Sequence, residues 1–282
     1  MPLLSVRDLG VTFTTDHLQI NAVRDVNFDL DAGTKLGFVG ESGSGKTTTA
    51  LALMGMIPRP GKVTSGTAVL DGEDLLALSP REVIARRLTT VSYIPQGAMN
   101  SLNPVARVRN SVLDGMYDHG VRMSKAEARA FVADLMGKVG LPADTGDRYP
   151  HELSGGMKQR VCIAIAIAMK PKLIIADEPT SALDVITQRQ VMETLDKVQS
   201  ELGSALILIG HDMGLMAQFV DRLMIMRKGR IVEQGSTREI FNAPKESYTK
   251  TLITSVPAMP APDASVAAAP HTDVGPALPE SD

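Results

Sequence analysis

The sequence is poor in several things, and each shortage closes off a class of protein. It holds one cysteine, Cys162, in 282 residues, which excludes a disulfide framework and any multi-cysteine metal or iron–sulfur site. Cys162 lies in an apolar run and reads as a small buried hydrophobe. Tryptophan is absent and aromatic residues make up 4% of the chain, so few side chains are available to stack on a planar ligand. The longest apolar run, Val161 to Met169, is about half of what a membrane-spanning helix needs. The first ten residues, MPLLSVRDLG, mix acid and base without an apolar core, so no secretory leader is expected there. Basic residues do not outnumber acidic ones: 29 Lys+Arg against 32 Asp+Glu leave a net charge of −3. That balance argues against binding nucleic acid through bulk positive charge.

What remains is an ordinary globular composition, 44% hydrophobic and 22% charged, in a length that suits one large domain or two small ones. Leu3 to Leu9 reads as a strand, as does the alternation through Val23, Val26, Phe28 and Leu30. Lys35 to Val39 runs into a glycine-rich turn, and Thr47 to Met56 reads as a helix stopped by Pro58, Pro60 and Gly61. From about Gly97 to His151 the patterns turn helical. Ser124 and Glu127 have capping-box spacing for a helix through about Val139, with Gly140 as its stop. Leu173 to Ala176, Ala205 to Gly210 and Leu223 to Met226 are short apolar strands, and Ile186 to Glu201 is a helix between the first two. Strands separated by helices imply a mainly parallel sheet covered on both faces. From Val256 onward, prolines alternate with alanines among a few acids, and no lysine or arginine occurs after Lys250. Such a tail is expected to be disordered.

Three stretches carry chemistry. Gly40-Glu41-Ser42-Gly43-Ser44-Gly45-Lys46-Thr47 fits the P-loop pattern and lies between a strand and a helix. Its glycines let backbone N–H groups converge on phosphate oxygens, and the following helix adds its positive end. Lys46 can reach the β and γ phosphates, and the Thr47 hydroxyl can ligate Mg²⁺. Alone this motif says only that a nucleoside triphosphate binds. Leu173-Ile-Ile-Ala-Asp177-Glu178 is an apolar strand ending in two acids. Asp177 suits Mg²⁺ and Glu178 suits polarising a water, although two solvated acids capping a strand would look the same. Leu153-Ser154-Gly155-Gly156-Met157-Lys158-Gln159-Arg160 precedes a long apolar helix and forms a second glycine-rich helix start, a second anion site on one chain.

At these residues the chain resembles the ATP-binding subunit of an ABC transporter, over roughly Leu3 to Ser255. Gly40 to Thr47 resembles Walker A, Gln96 the Q-loop glutamine, and Leu153 to Gln159 the signature, with Met157 where many members have glutamine. Asp177 and Glu178 resemble Walker B and its catalytic glutamate, Ser181-Ala-Leu-Asp184 the D-loop, and His211 the switch histidine. The fold so implied is an α/β P-loop NTPase of ABC type. It has a mainly parallel core sheet, an N-terminal antiparallel β region and an inserted helical subdomain at about 97–151. The ATP-binding domain would span 1–255, leaving 256–282 as the tail. Glu178 and His211 are implied as catalytic, residues Gly40 to Thr48, Gln96 and Asp177 as nucleotide-binding, and Thr47, Gln96 and Asp177 as facing Mg²⁺. Phe13 is the candidate for stacking on adenine, since the family uses an aromatic upstream of Walker A. Ser154, Gly155, Gly156, Gln159 and Asp184 would meet the nucleotide of a partner, because the family's subunits pack head to tail.

Gln96-Gly-Ala-Met-Asn-Ser-Leu-Asn-Pro104, Tyr149-Pro-His-Glu-Leu-Ser154 and Ala243-Pro-Lys-Glu-Ser-Tyr248-Thr are similar to the oligopeptide, dipeptide and nickel importer branch. Many members carry a C-terminal extension with several cysteines, which this chain lacks, so no iron–sulfur cluster is expected. The resemblance implies an ATP-hydrolysing motor with ATP and Mg²⁺, importing a solute for which peptides are the leading class. Oligosaccharide and nickel importers, and exporter or lipoprotein-release ATPases, share the same core motifs. A non-transport ABC ATPase would need coiled-coil insertions or two cassettes, and neither is in the sequence. The implied partners are a second ATPase subunit of different sequence, two transmembrane permease subunits and an extracytoplasmic solute-binding protein, with no nucleic acid. The chain would then sit peripherally on the cytoplasmic face of the cell membrane through its permeases.

Overall fold

The computed structural model of the protein describes residues 1–255. Segment 256–282, expected above to be disordered, lies outside the described residues. The chain opens with strands β1 (Leu4–Thr14), β2 (Gln19–Leu30) and β3 (Lys35–Val39), then helix α1 (Lys46–Leu53). Strands β4 (Gly61–Leu70) and β5 (Glu73–Asp74), helix α2 (Pro80–Arg86) and strand β6 (Val91–Ile94) follow. Next come α3 (Val108–Asp118), α4 (Lys125–Lys138) and α5 (Gly155–Ile167) with no strand between them. Alternation resumes with β7 (Leu173–Asp177), α6 (Val185–Leu202), β8 (Ala205–Gly210), α7 (Met213–Phe219) and β9 (Arg222–Arg227). The described chain ends with β10 (Arg230–Ser236), α8 (Thr237–Asn242) and α9 (Ser247–Thr254).

Two sheets result. One is antiparallel, in the order β2-β1-β4-β5; the other runs β10-β9-β3-β8-β7-β6 and is parallel except for β10. The strands of the second sheet alternate between two apolar cores, as a period of two requires. Leu173 and Ile175 of β7, with Ile207 and Ile209 of β8, face the antiparallel sheet and α1. Ile174 and Ala176, with Leu206 and Leu208, face the helical side built from α3 to α7. Burial on both faces is why these strands read as continuous apolar runs. Helix α1 is wedged against β1, β2 and β7.

Local signals explain several boundaries. The Ser124 hydroxyl accepts the Glu127 N–H at 3.3 Å and the Glu127 carboxylate accepts the Ser124 N–H at 2.8 Å, the reciprocal cap its spacing predicts for α4. Gly140, at φ 67°, turns the chain out of that helix. Helix α1 stops at Leu53 and does not run on to Met56 as expected from the sequence. Gly55 takes a left-handed φ of 58° and its N–H bonds to the Ala52 carbonyl, so the helix closes before the prolines are reached.

The middle of β7 carries the strand pairing on which the acidic pair depends. Ile174 is fully buried there, and Ile174→Ala is expected to destabilise the protein by about 2–5 kcal/mol through lost transfer energy and a residual cavity. In urea titration of the purified chain the midpoint should fall with the slope unchanged.

Candidate active site

Strands β3, β8, β7 and β6 are adjacent and parallel, so the chain leaves all four at one edge. In open α/β sheets that carboxyl edge is where ligands bind. Here it collects Gly40 after β3, His211 after β8, Asp177 and Glu178 at the end of β7, and Gln96 just beyond β6.

The glycine-rich loop after β3 is shaped by close approach. Gly45 sits at φ 105° immediately before α1, and a Cβ there would stand 2.6 Å from the Ala22 carbonyl oxygen. The Ser44 carbonyl accepts the Gly229 N–H at 2.9 Å, which ties the loop to the turn after β9. Glu41, Ser42, Gly43 and Thr47 are exposed and Thr48 is half-buried, so the loop opens outward. Lys46 turns inward and is 7% exposed. Its Nζ donates to the Gly40 carbonyl at 2.7 Å, the Glu41 carbonyl at 2.9 Å and the Ser44 hydroxyl at 3.3 Å. Burial pushes the Lys46 ammonium below its ordinary pKa, and the charges of Glu178, Asp177 and Glu41 oppose that shift.

The acids after β7 play different parts. Asp177 is buried, and burial pushes its carboxyl above the usual range, against the hydroxyls of Thr47 and Tyr93, which favour the ionised form. Tyr93 donates to Oδ2 at 3.0 Å. Oδ1 is buried without a hydrogen-bond partner. A carboxylate oxygen left unpaired beside a threonine hydroxyl is a hard-oxygen pair that fits Mg²⁺. Glu178 takes a left-handed backbone, φ 44°. Its Oε2 accepts from the Gln96 amide at 2.8 Å, and Oε1 lies 3.3 Å from His211 Nδ1. Two side chains from two other loops, Gln96 and His211, thus converge on this one carboxylate. Beneath this cluster, Cys162 of α5 donates to the Ala98 carbonyl at 3.3 Å, just after Gln96, and burial pushes its thiol up to about 12.

The second glycine-rich start is built separately. The Ser154 hydroxyl caps α5 by accepting the Met157 N–H at 3.3 Å. Gly156 lies so close to Thr187 that a Cβ would overlap the threonine methyl. Thr187 in turn gives its N–H (2.9 Å) and its hydroxyl (2.7 Å) to the Asp184 carboxylate, which caps α6. Gly155 opens α5 beside Gly156, and Gln159 is buried with its Nε2 unpaired. No hydrogen bond among the described residues joins 154–159 or 181–184 to 40–48. Phe13 lies on β1 with its partly buried ring close against Gly61. Tyr93 lies outside the sequence motifs. Its signal is its place on β6, three residues before Gln96, where pairing with β7 brings it to Asp177.

A strand, a glycine-rich loop, a helix and a carboxyl-edge acid pair in this order define a P-loop nucleotide hydrolase. The ABC transporter family profile matches residues 23–181. The chain is 42% identical over 260 residues to the oligopeptide transport ATP-binding protein OppD of Bacillus subtilis (strain 168), covering 91% of this chain and 72% of that protein. It is 43% identical over 261 residues to OppD of Escherichia coli (strain K12), covering 92% and 77%. Among solved structures, a dimeric ATP-binding cassette in a post-hydrolysis state bound to ADP and Pi superposes with a TM-score of 0.73 at 27% identity, covering 83% of this chain and 99% of that one. The protein belongs to the ABC transporter family, as an ATPase subunit that binds and hydrolyses ATP.

The Cys162 shift has a direct consequence. At pH 8 a thiol titrating at about 12 stays protonated, whereas an unfolded cysteine titrates near 8.5 and is partly thiolate. The folded protein should therefore give no reaction with a thiol reagent such as DTNB at pH 8. The same protein in guanidinium chloride should give one thiol per chain, and rapid labelling of the folded form would contradict the burial.

Proposed function

We propose that this chain is the motor subunit of a membrane importer whose solute is peptide, and that ATP is hydrolysed at the carboxyl edge of the parallel sheet. The observation carrying this reading is the convergence of Gln96 and His211 on Glu178, beside Asp177 and the lysine-bearing loop. The peptide assignment is supported by the relatives, which are named as oligopeptide and dipeptide transport ATP-binding proteins. No described helix is long and apolar enough to cross a membrane, so attachment to the cytoplasmic face would be through permease subunits.

The geometry supports the following residue roles. Backbone N–H groups of 40–48 hold phosphate oxygens, and Lys46 exchanges its carbonyl partners for them. Thr47 and Asp177, with Gln96 at the edge, would hold Mg²⁺, which supplies charge neutralisation to the phosphates when bound. Glu178 orients and polarises the attacking water, and Gln96 and His211 fix its two oxygens. Phe13 is kept as the adenine-stacking candidate. Ser154, Gly155, Gly156, Gln159 and Asp184 would complete the site of a second ATPase subunit of different sequence. Two permeases and an extracytoplasmic solute-binding protein complete the assembly. The permease is expected to dock at the loop after Gln96, where Ala98, Leu102, Cys162 and Ile165 line a cavity of about 240 Å³ and Val105 stands 83% exposed.

Two experiments separate chemistry from coupling. Glu178→Gln in the assembled transporter should keep ATP binding and lower turnover by about 10²- to 10⁴-fold; near-normal turnover would remove Glu178 from its role. Val105→Asp puts a charge on an exposed loop, where it is tolerated, but must be desolvated if a permease covers it. ATP hydrolysis by the isolated subunit should be unchanged, while pull-down of the permease pair and ATP-driven uptake of labelled peptide into proteoliposomes should fall. Normal uptake with this variant would move the docking surface elsewhere.

A further inference from the structure

Helix α9 lies far from the acid cluster in sequence, yet it touches the phosphate-binding loop. The backbone N–H of Glu41, the second residue of that loop, donates to the Tyr248 hydroxyl at 3.0 Å across a sequence separation of 207 residues. Tyr248 is 7% exposed. The Arg227 guanidinium lies 4.7 Å from its ring centre, which adds a cation–π attraction to the packing. Arg227 ends β9, and the turn that follows gives the Gly229 N–H to Ser44. The ring is therefore clamped, and its one polar atom is aimed at loop backbone. The start of α9 is itself anchored. Glu233 of β10 accepts the N–H groups of Lys245 at 2.8 Å and Glu246 at 3.1 Å.

We propose that Tyr248 is a positioning residue for ATP binding: its hydroxyl fixes the Glu41 peptide, so that the glycine-rich loop keeps its phosphate-holding shape. This rests on the reading of 40–48 as the phosphate loop. Glu41 is gripped through both of its backbone polar groups, by Tyr248 at its N–H and by Lys46 at its carbonyl. When Lys46 turns to a phosphate it gives up that carbonyl and the neighbouring one of Gly40. The Ser44 N–H still bonds to the Glu41 carbonyl at 3.1 Å, but that bond belongs to the loop and moves with it. Tyr248 holds from outside the loop and stays. A hydroxyl suits this post, because a carboxylate acceptor there would set a negative charge beside incoming phosphates. A purely core-filling role would need the ring and not the oxygen.

Tyr248→Phe in the full chain separates these roles, since the ring and its stacking under Arg227 are kept. Losing one hydrogen bond to a buried hydroxyl should raise the ATP dissociation constant and KM roughly 2- to 10-fold, with kcat within about twofold of wild type. Calorimetry with ATP and steady-state hydrolysis read these values, well below both thermal midpoints. Glu233→Ala, which frees the start of α9, should weaken ATP binding too, and by less when Tyr248 is already phenylalanine. Wild-type ATP affinity in Tyr248→Phe would overturn the proposal. So would a fall in kcat at unchanged affinity, or effects of the two substitutions that simply add. Failure of the wild-type chain to bind ATP would remove the phosphate-loop reading and this proposal with it.

Discussion

The site depends on one constraint, the level at which four parallel strands end. Val39 pairs with Gly210, Asp177 with Ile209, and Ile94 with Ala176. Gly40, His211, Glu178 and Gln96 therefore emerge together, although they are spread along most of the chain. Register also decides which acid does what. Asp177 continues the Leu173–Ile175 face, which packs toward the antiparallel sheet and α1, and α1 begins with Lys46 and Thr47. Glu178, one residue on, turns toward the side of Ile174 and Ala176, where the Gln96 loop and the helices lie. A slip of one residue would exchange the two faces. Because a slip carries both acids the same way, at most one would take the other's place and the second would be moved out of its surroundings.

Much of this was legible in the sequence because the decisive signals are local. Strands Lys35–Val39 and Ala205–Gly210 stand at the residues their apolar runs indicate. Capping spacing located α4 because the reciprocal hydrogen bonds involve residues three apart. The acidic pair and glycine-rich loop were visible as motifs, and the parallel sheet does bring them to one edge. What stayed hidden depends on partners distant in sequence. Strand β10 reads as polar because it lies at an edge and most of its residues are only partly buried. Strand β4 carries lysine, threonines and serine on its exposed half, so no apolar run marks it. The short α2 and α8 announce themselves only by caps at Ser79 and Ser236. Tyr93 and Tyr248 reach the site through a strand pairing and a helix docking that no spacing encodes.

The two glycine-rich helix starts are built separately and anchored to different parts of the chain. The loop before α1 is tied to the strands behind it through Ala22, Gly229 and Tyr248. The start of α5 is tied elsewhere, through Gly156 against Thr187 and Thr187 against Asp184. The contact of Gly156 with Thr187, in the turn that Asp184 caps, links 154–159 to 181–184. On the proposed reading both face the nucleotide of a second subunit, so a displacement felt at one is felt at the other. Ser154 uses its hydroxyl to cap its own helix while the positive helix end still points outward. An anion met there would add to a cap already made and would not have to replace it. On that reading Lys46 is in the opposite position, because its three partners within the loop would have to be exchanged for phosphate oxygens. Exchange of carbonyl and hydroxyl partners for charged phosphate oxygens strengthens each bond. On the proposed reading, the phosphate loop would gain on ATP binding mainly through charge, and the helix start of a second subunit would add its positive end without giving up a bond. Under that proposal, the full triphosphate charge of ATP would be what draws two such surfaces together.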